Sequence, residues 1–90
     1  MYATVRHYTD PELSEQLRAR ADEVLAVISA IEGFEGYYLI HGDDGTISVS
    51  LYDSEASAKA SNEAAASWLS ENMPGVVADH VAGGEVVVQR

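Results

Sequence analysis

The apolar period of this chain switches repeatedly between two residues and three to four, and the order of the switches limits what it can build. Tyr2 to Tyr8 alternates as a strand does. Asp10-Pro11 reads as an N-cap followed by Pro at the first helical position. From there Leu13, Leu17, Ala21, Val24, Ile28 and Ile31 form one stripe, which predicts a single helix from about Pro11 to Ile31. Glu12 and Glu15 sit at its positive end, and Gly33 suits a C-cap. Phe34 to His41 is aromatic and aliphatic, hence strand, and Gly42-Asp43-Asp44-Gly45 is a hairpin turn. Thr46 to Tyr52 alternates again. Asp53 or Ser54 then caps an Ala-rich helix that runs to about Met73, where Pro74-Gly75 stops it. Val76 to Ala82 is apolar but short and fits a loop, a helical turn or a strand. After Gly83-Gly84, Glu85 to Gln89 reads as the closing strand.

Strand, helix, strand, strand, helix, strand is the split-βαβ or ferredoxin-like plan, an α+β fold with an antiparallel sheet. The expectation is one domain over residues 1–90, with helices on one face of the sheet and the other face bare. In the first strand Ala3, Val5 and His7 point one way, and Tyr2, Thr4, Arg6 and Tyr8 the other. In the third, Ile47, Val49 and Leu51 form one face, and Ser48, Ser50 and Tyr52 the other. The apolar face is expected to meet the helices. Ser48, Ser50 and Tyr52 would then lie on the bare face, where small and aromatic polar groups suit half-burial or a cavity wall. On the second helix Ala58, Ser61, Asn62, Ala65, Trp68, Leu69 and Asn72 fall within one face. Asn62 and Trp68 stand at its opposite edges, about 120° apart.

A chain of 90 residues makes one small domain, which buries only about two-thirds of the surface its unfolded form exposes. It has no Cys, so disulfides, thiolate metal sites and thiol catalysis are excluded. Oligomerisation is the remaining route to more burial. The net charge of −10 argues against nucleic acid and against anionic membrane surfaces as partners. The basic residues, Arg6, Arg18, Arg20, Lys59 and Arg90, form no patch in sequence. No apolar run approaches the roughly 20 residues of a membrane span. The opening Met1-Tyr2-Ala3-Thr4-Val5 is not a secretory leader, so a cytoplasmic location is expected.

With these elements in place the chain resembles the antibiotic biosynthesis monooxygenase-like family of dimeric α/β barrels. The resemblance covers nearly the whole chain. It rests on Ile31-Glu32-Gly33-Phe34-Glu35-Gly36-Tyr37-Tyr38, on the hairpin from Tyr37 to Tyr52, and on Leu51-Tyr52-Asp53-Ser54-Glu55-Ala56. The family commonly has Pro-Gly-Phe between first helix and second strand; here Glu32 stands in place of the Pro. The resemblance implies a homodimer whose open sheet faces close a barrel, and a pocket in each subunit. It implies binding of a small molecule, with cofactor-independent monooxygenation of an aromatic or polyketide-like substrate as the leading activity. The alternatives are a non-catalytic ligand-binding or structural homodimer, and a haem-binding or haem-degrading protein. No cofactor is required by the leading reading.

Family oxygenases use pocket Asn, Trp, Tyr and Arg, and by type and element the resemblance points to Arg6, Tyr52, Asn62 and Trp68 as catalytic candidates. Tyr8, Ser48, Ser50 and His41 are the candidates for substrate binding. Arg6 fits either an acidic neighbour or an anion or enolate in the cleft, because its fork suits oxygen ligands. Trp68 fits either a core position between helix and sheet or a pocket wall. Asn62 fits either solvent or the pocket. His7 and His41 are each compatible with a general base. Family haem degraders hold iron with a His after the second helix. His80 occupies that stretch, beyond Pro74-Gly75, but the first strand lacks the Asn those proteins use. No metal is expected. His7 and His41 are not paired by spacing, and Gly42-Asp43-Asp44-Gly45 lacks the further oxygen ligands of a calcium loop.

Overall fold

The computed structural model of the chain describes residues 1–10 and 12–90. Its elements are β1 (Tyr2–Tyr8), α1 (Leu13–Arg18), α2 (Ala21–Ser29), β2 (Phe34–Gly42), β3 (Gly45–Tyr52), α3 (Glu55–Asn72) and β4 (His80–Glu85). The four strands form one antiparallel sheet in the order β2-β3-β1-β4. This is the ferredoxin-like plan, with β3 between β1 and β2. The three helices cover one face.

The faces of the sheet are the reverse of the sequence expectation. Thr4, Arg6, Tyr8, Thr46, Ser48, Ser50 and Tyr52 are all buried beneath the helices. Register explains why they travel together. Thr4 pairs with Ser50, Arg6 with Ser48 and Tyr8 with Thr46, and residues directly opposite share a face. Ile47, Val49 and Leu51 point to the uncovered face, beside Val5, Tyr38 and Ile40. Tyr38 and Ile40 are exposed at 60% and 43%. The cause is Arg6. A guanidinium on the covered face needs oxygen acceptors, and the β3 hydroxyls supply them there.

The single helix expected from Pro11 to Ile31 is two. Its proposed start at Pro11 lies outside the described residues; the N-cap of α1 is Glu12 rather than Asp10, whose Oδ1 accepts from the Glu12 amide at 2.9 Å in the turn ahead of the helix. The break falls at Ala19–Arg20, where Arg20 leaves helical geometry at φ −122°, ψ 24°. No Gly or Pro marks it. The Arg20 side chain holds the junction from outside, with Nε and Nη2 on the two carboxylate oxygens of Glu23 at 2.7 and 2.8 Å. Nη2 also reaches Asn72 Oδ1 on α3 at 2.7 Å. Despite the break, Leu13, Leu17 and Ile28 are buried, so the stripe is real. Leu13 and Leu17 pack with Tyr8 and Leu69, while Ile28 packs with Tyr52 and Ala58.

The closing strand also differs. It runs over His80–Glu85 rather than Glu85 to Gln89, and Gly83 and Gly84 lie inside it. β4 pairs only with β1, and the ladder runs out where Glu85 meets Tyr2. Val86 adds one bond, from its amide to the Met1 carbonyl at 2.9 Å, and Val87 and Val88 have no strand to join. At the other end of the fold α3 starts as expected, with Ser54 Oγ accepting from the Ser57 amide at 3.2 Å.

Gly33 is not the helix C-cap, since α2 ends at Ser29. It forms the turn into β2, at φ +90°, with its carbonyl accepting from the Asp53 amide at 2.9 Å. A Cβ there would lie 2.0 Å from Asp53 Oδ1. Gly33→Ala is therefore expected to cost at least about 1 kcal/mol from backbone strain alone, and more from the clash. Denaturant unfolding should recover part of the loss, but not all, when Asp53→Ala is added. Full recovery would mean that the positive φ costs nothing.

Candidate functional site

Arg6 lies at the middle of β1, and β1 is a central strand. Its side chain is 3% exposed. Nε donates to Ser48 Oγ at 2.9 Å, Nη2 to Ser50 Oγ at 2.8 Å, and Nη1 to Asn62 Oδ1 at 2.7 Å. All three acceptors are neutral. Among the described residues no carboxylate pairs with Arg6. A guanidinium carries a permanent charge, so this is a buried cation with hydrogen bonds but no counterion. Asn62 Oδ1 also accepts from Thr4 Oγ1 at 3.1 Å, which fixes the amide. Its NH2 group then turns away from both donors.

Two cavities meet at Arg6, one on each side of α3. The first is small, about 30 Å³, and lies between α1, α2 and the sheet. Trp68, Leu17, Val24, Ile28, Tyr37 and Ser48 are among its walls. The second is a cleft of about 440 Å³ between α3 and the segment running from Pro74 into β4. Arg6, Tyr8 and Leu69 border both. Asn62 borders only the cleft and Trp68 only the small cavity, as their separation around the helix requires.

Tyr8 and Tyr37 flank the guanidinium. Burial raises the pKa of each above the ordinary tyrosine value, and the charge of Arg6 pulls both back down. Trp68 is half-buried, with the Arg20 guanidinium 4.9 Å from its ring centre. It is thus a wall capped by a cation rather than a closed core position.

The remaining candidates separate. Ser48 and Ser50 hold Arg6. Tyr52 is fully buried, its ring edge-on to Phe34 and its hydroxyl donating to the Ile28 carbonyl at 2.7 Å. It borders neither cavity. His41 is exposed at the end of β2 and bonds through Nδ1 with Ser14 Oγ, away from both cavities. His80 pairs with His7 across β4 and β1, on the uncovered face. Hence none of the three histidines borders either cavity, and the described residues hold no His, Asp and Glu cluster able to bind a metal. The site also lies on the helix-covered face, not on the bare face expected for Ser48, Ser50 and Tyr52. Sequence reading missed Tyr37 and the Val76–Val81 wall. Tyr37 was within reach, because it pairs with Ser50 and shares its face. The wall had no signal, since Val76 to Ala82 has no clear period.

No protein-family model and no curated protein matches the chain in sequence. Solved structures do. A protein from Chloroflexus aurantiacus assigned provisionally to the antibiotic biosynthesis monooxygenases is 20% identical, with a TM-score of 0.67, over 99% of this chain and 95% of that one. A haem degrader from Mycobacterium tuberculosis, with two haems in its active site, is 19% identical, with a TM-score of 0.66, over 99% and 97%. A dimeric ferredoxin-like protein from an uncultured marine organism is 18% identical, with a TM-score of 0.62, over 99% and 94%. The chain therefore has the fold of the antibiotic biosynthesis monooxygenase-like proteins. No helix of the described residues is long and apolar enough to cross a membrane.

The tyrosine shifts have a direct consequence. Folded Tyr8 and Tyr37 hold their protons more tightly than in the unfolded chain, where the value is 10.0. Their contribution to stability is complete below that pH and is lost as pH rises through the folded values. Arg6→Met removes the charge that opposes the shift. Alkaline titration of phenolate absorbance should then show these two tyrosines ionising at higher pH than in the parent. An unchanged midpoint would mean that Arg6 is not felt at the hydroxyls.

Proposed function

We infer that this chain is a small-molecule-binding protein that takes an acidic organic compound at Arg6, as a homodimer. The observation that carries the reading is the buried guanidinium held by the neutral side chains of Ser48, Ser50 and Asn62, with no carboxylate paired to it among the described residues. An anionic ligand supplies its missing counterion. The fold supports a catalytic extension, namely cofactor-independent monooxygenation of a phenolic or enolisable substrate. Such a substrate reduces dioxygen itself once it is deprotonated, so the protein has to hold the anion and exclude water. Arg6 and Asn62 carry the contact to the oxyanion, Tyr8 lies beside it, and Ser48 and Ser50 keep the fork aimed. Trp68 and Tyr52 act on the frame. The alternative is a binder with no chemistry, which differs only in oxygen uptake.

A haem does not fit this arrangement. Neither cavity presents an imidazole, and His80 faces the other side of the sheet.

The dimer follows from the uncovered face. Val5, Ile40, Val49 and Leu51 make an apolar surface with no helix above it, and a second copy covers it. Light scattering should give about twice the 9.7 kDa monomer mass, and Val49→Asp should halve it. A parent that is monomeric at tens of micromolar would remove this part of the reading.

Asn62→Asp tests the anion site. It preserves shape and gives Arg6 an internal counterion. Denaturant unfolding is expected to show a gain of about 1 kcal/mol, while calorimetric affinity for an aromatic carboxylate drops about tenfold or more. If Arg6 is structural only, the stability gain appears with no binding to lose.

A further inference from the structure

We propose that the ligand lies in the cleft between α3 and the Pro74–Val81 segment, and that it is a hydrophobic monocarboxylate or similar oxyanion of about two fused rings. This rests on the reading of Arg6 as an anion anchor and adds where the body of the ligand goes. The cleft and the cavity behind Trp68 both reach Arg6, so the choice between them turns on size and on donors. The cavity behind Trp68 measures about 30 Å³, which holds a water or two but no organic ligand. The cleft measures about 440 Å³, in the lower part of the range of about 300–1,000 Å³ typical of small-molecule pockets. That volume takes a bicyclic acid.

The donors favour the cleft as well. Asn62 borders it and not the other cavity, and its Oδ1 is engaged by Arg6 and Thr4. Among the described residues its NH2 makes no hydrogen bond, which leaves it able to donate to a ligand in the cleft. The outer walls carry no charge. They are Ala66 and Leu69 of α3 on one side and Pro74, Val76, Val77 and Val81 on the other. Apart from the Ser70 hydroxyl, the cleft is thus aliphatic away from Arg6, Tyr8 and Asn62, which matches an oxyanion head on an apolar body. Among the described residues Arg6 is also the only basic one in its lining.

The test uses the full chain and a matched pair of probes, 2-naphthoate and the uncharged 2-acetylnaphthalene, titrated by calorimetry. The parent is expected to favour naphthoate by about tenfold or more. Ala66→Trp fills the cleft from an exposed helix position, and Ser70→Trp does so from the next turn. Both should weaken naphthoate by about tenfold or more. Val27→Phe fills the cavity behind Trp68 and should change affinity less than about twofold; Ala65→Leu is its second version if that one does not fold by circular dichroism. Loss of binding in the Trp68-side variants, with the cleft variants intact, overturns the placement and leaves the anion reading standing. A parent that binds neither probe, or both equally, overturns the anion reading and this placement with it. Cleft variants that bind normally but shift the scattered mass mean that the cleft is a contact between copies, which also overturns the proposal.

Discussion

A single buried cation organises this protein. Arg6 stands on the covered face of a central strand, where leaving a charge without hydrogen bonds would cost several kcal/mol. The chain meets that demand from two directions. Ser48 and Ser50 rise from the neighbouring strand, and Asn62 descends from α3. These bonds tie helix to sheet at the point where an all-apolar core would have no preferred register. They also fix which side of β3 faces inward. Because strand side chains alternate, placing Ser48 and Ser50 inside forces Ile47, Val49 and Leu51 outside. The site and the apolar outer face are thus two consequences of one choice of parity.

That choice is where the sequence reading failed. The order of elements, the hairpin, the start of α3 and the stripe on α1 and α2 are local, and each was legible from period and capping residues. Parity is not local. Period two shows that β3 has two faces but not which one the helices cover, and the usual rule of apolar side inward gave the wrong answer. The informative residue was Arg6 on β1, whose partners on β3 depend on register. The Arg20 break was invisible for a similar reason. It is stabilised by Glu23, Asn72 and Trp68 together, and two of these lie on another helix. The position of β4 depended on how far β1 extends, and strand propensity in Val86 to Val88 says nothing about that.

The site shows the same division. Residue type brought forward Arg6, Tyr8 and Asn62, which do converge, because polar groups on inward positions must find one another when buried. It also brought forward Tyr52 and His41, which serve elsewhere. Tyr52 has the type of a pocket residue, but its hydroxyl is spent on the Ile28 carbonyl. Trp68 faces one side of α3 and Asn62 the other, as the helical repeat indicated. The far wall of the cleft was unreadable, because Val76 to Val81 is shaped by the stop at Pro74-Gly75 and by the pairing of β4 rather than by a period.

The identity of residue 62 bears most directly on function. If Arg6 served only to tie α3 to the sheet, aspartate would be the better partner. It has the same shape as asparagine, accepts the same two hydrogen bonds and cancels the charge. Supply of carboxylates is not the constraint, since the chain has 15 acidic residues and a net charge of −10. None of them forms an ion pair with Arg6 among the described residues. The acidic surface opposes an anion only over about a Debye length, near 10 Å at moderate salt, whereas the cation at the floor acts on contact in a water-poor setting. An uncancelled guanidinium in a strongly acidic protein is an arrangement that costs stability. It becomes intelligible when the neutralising charge arrives with the ligand.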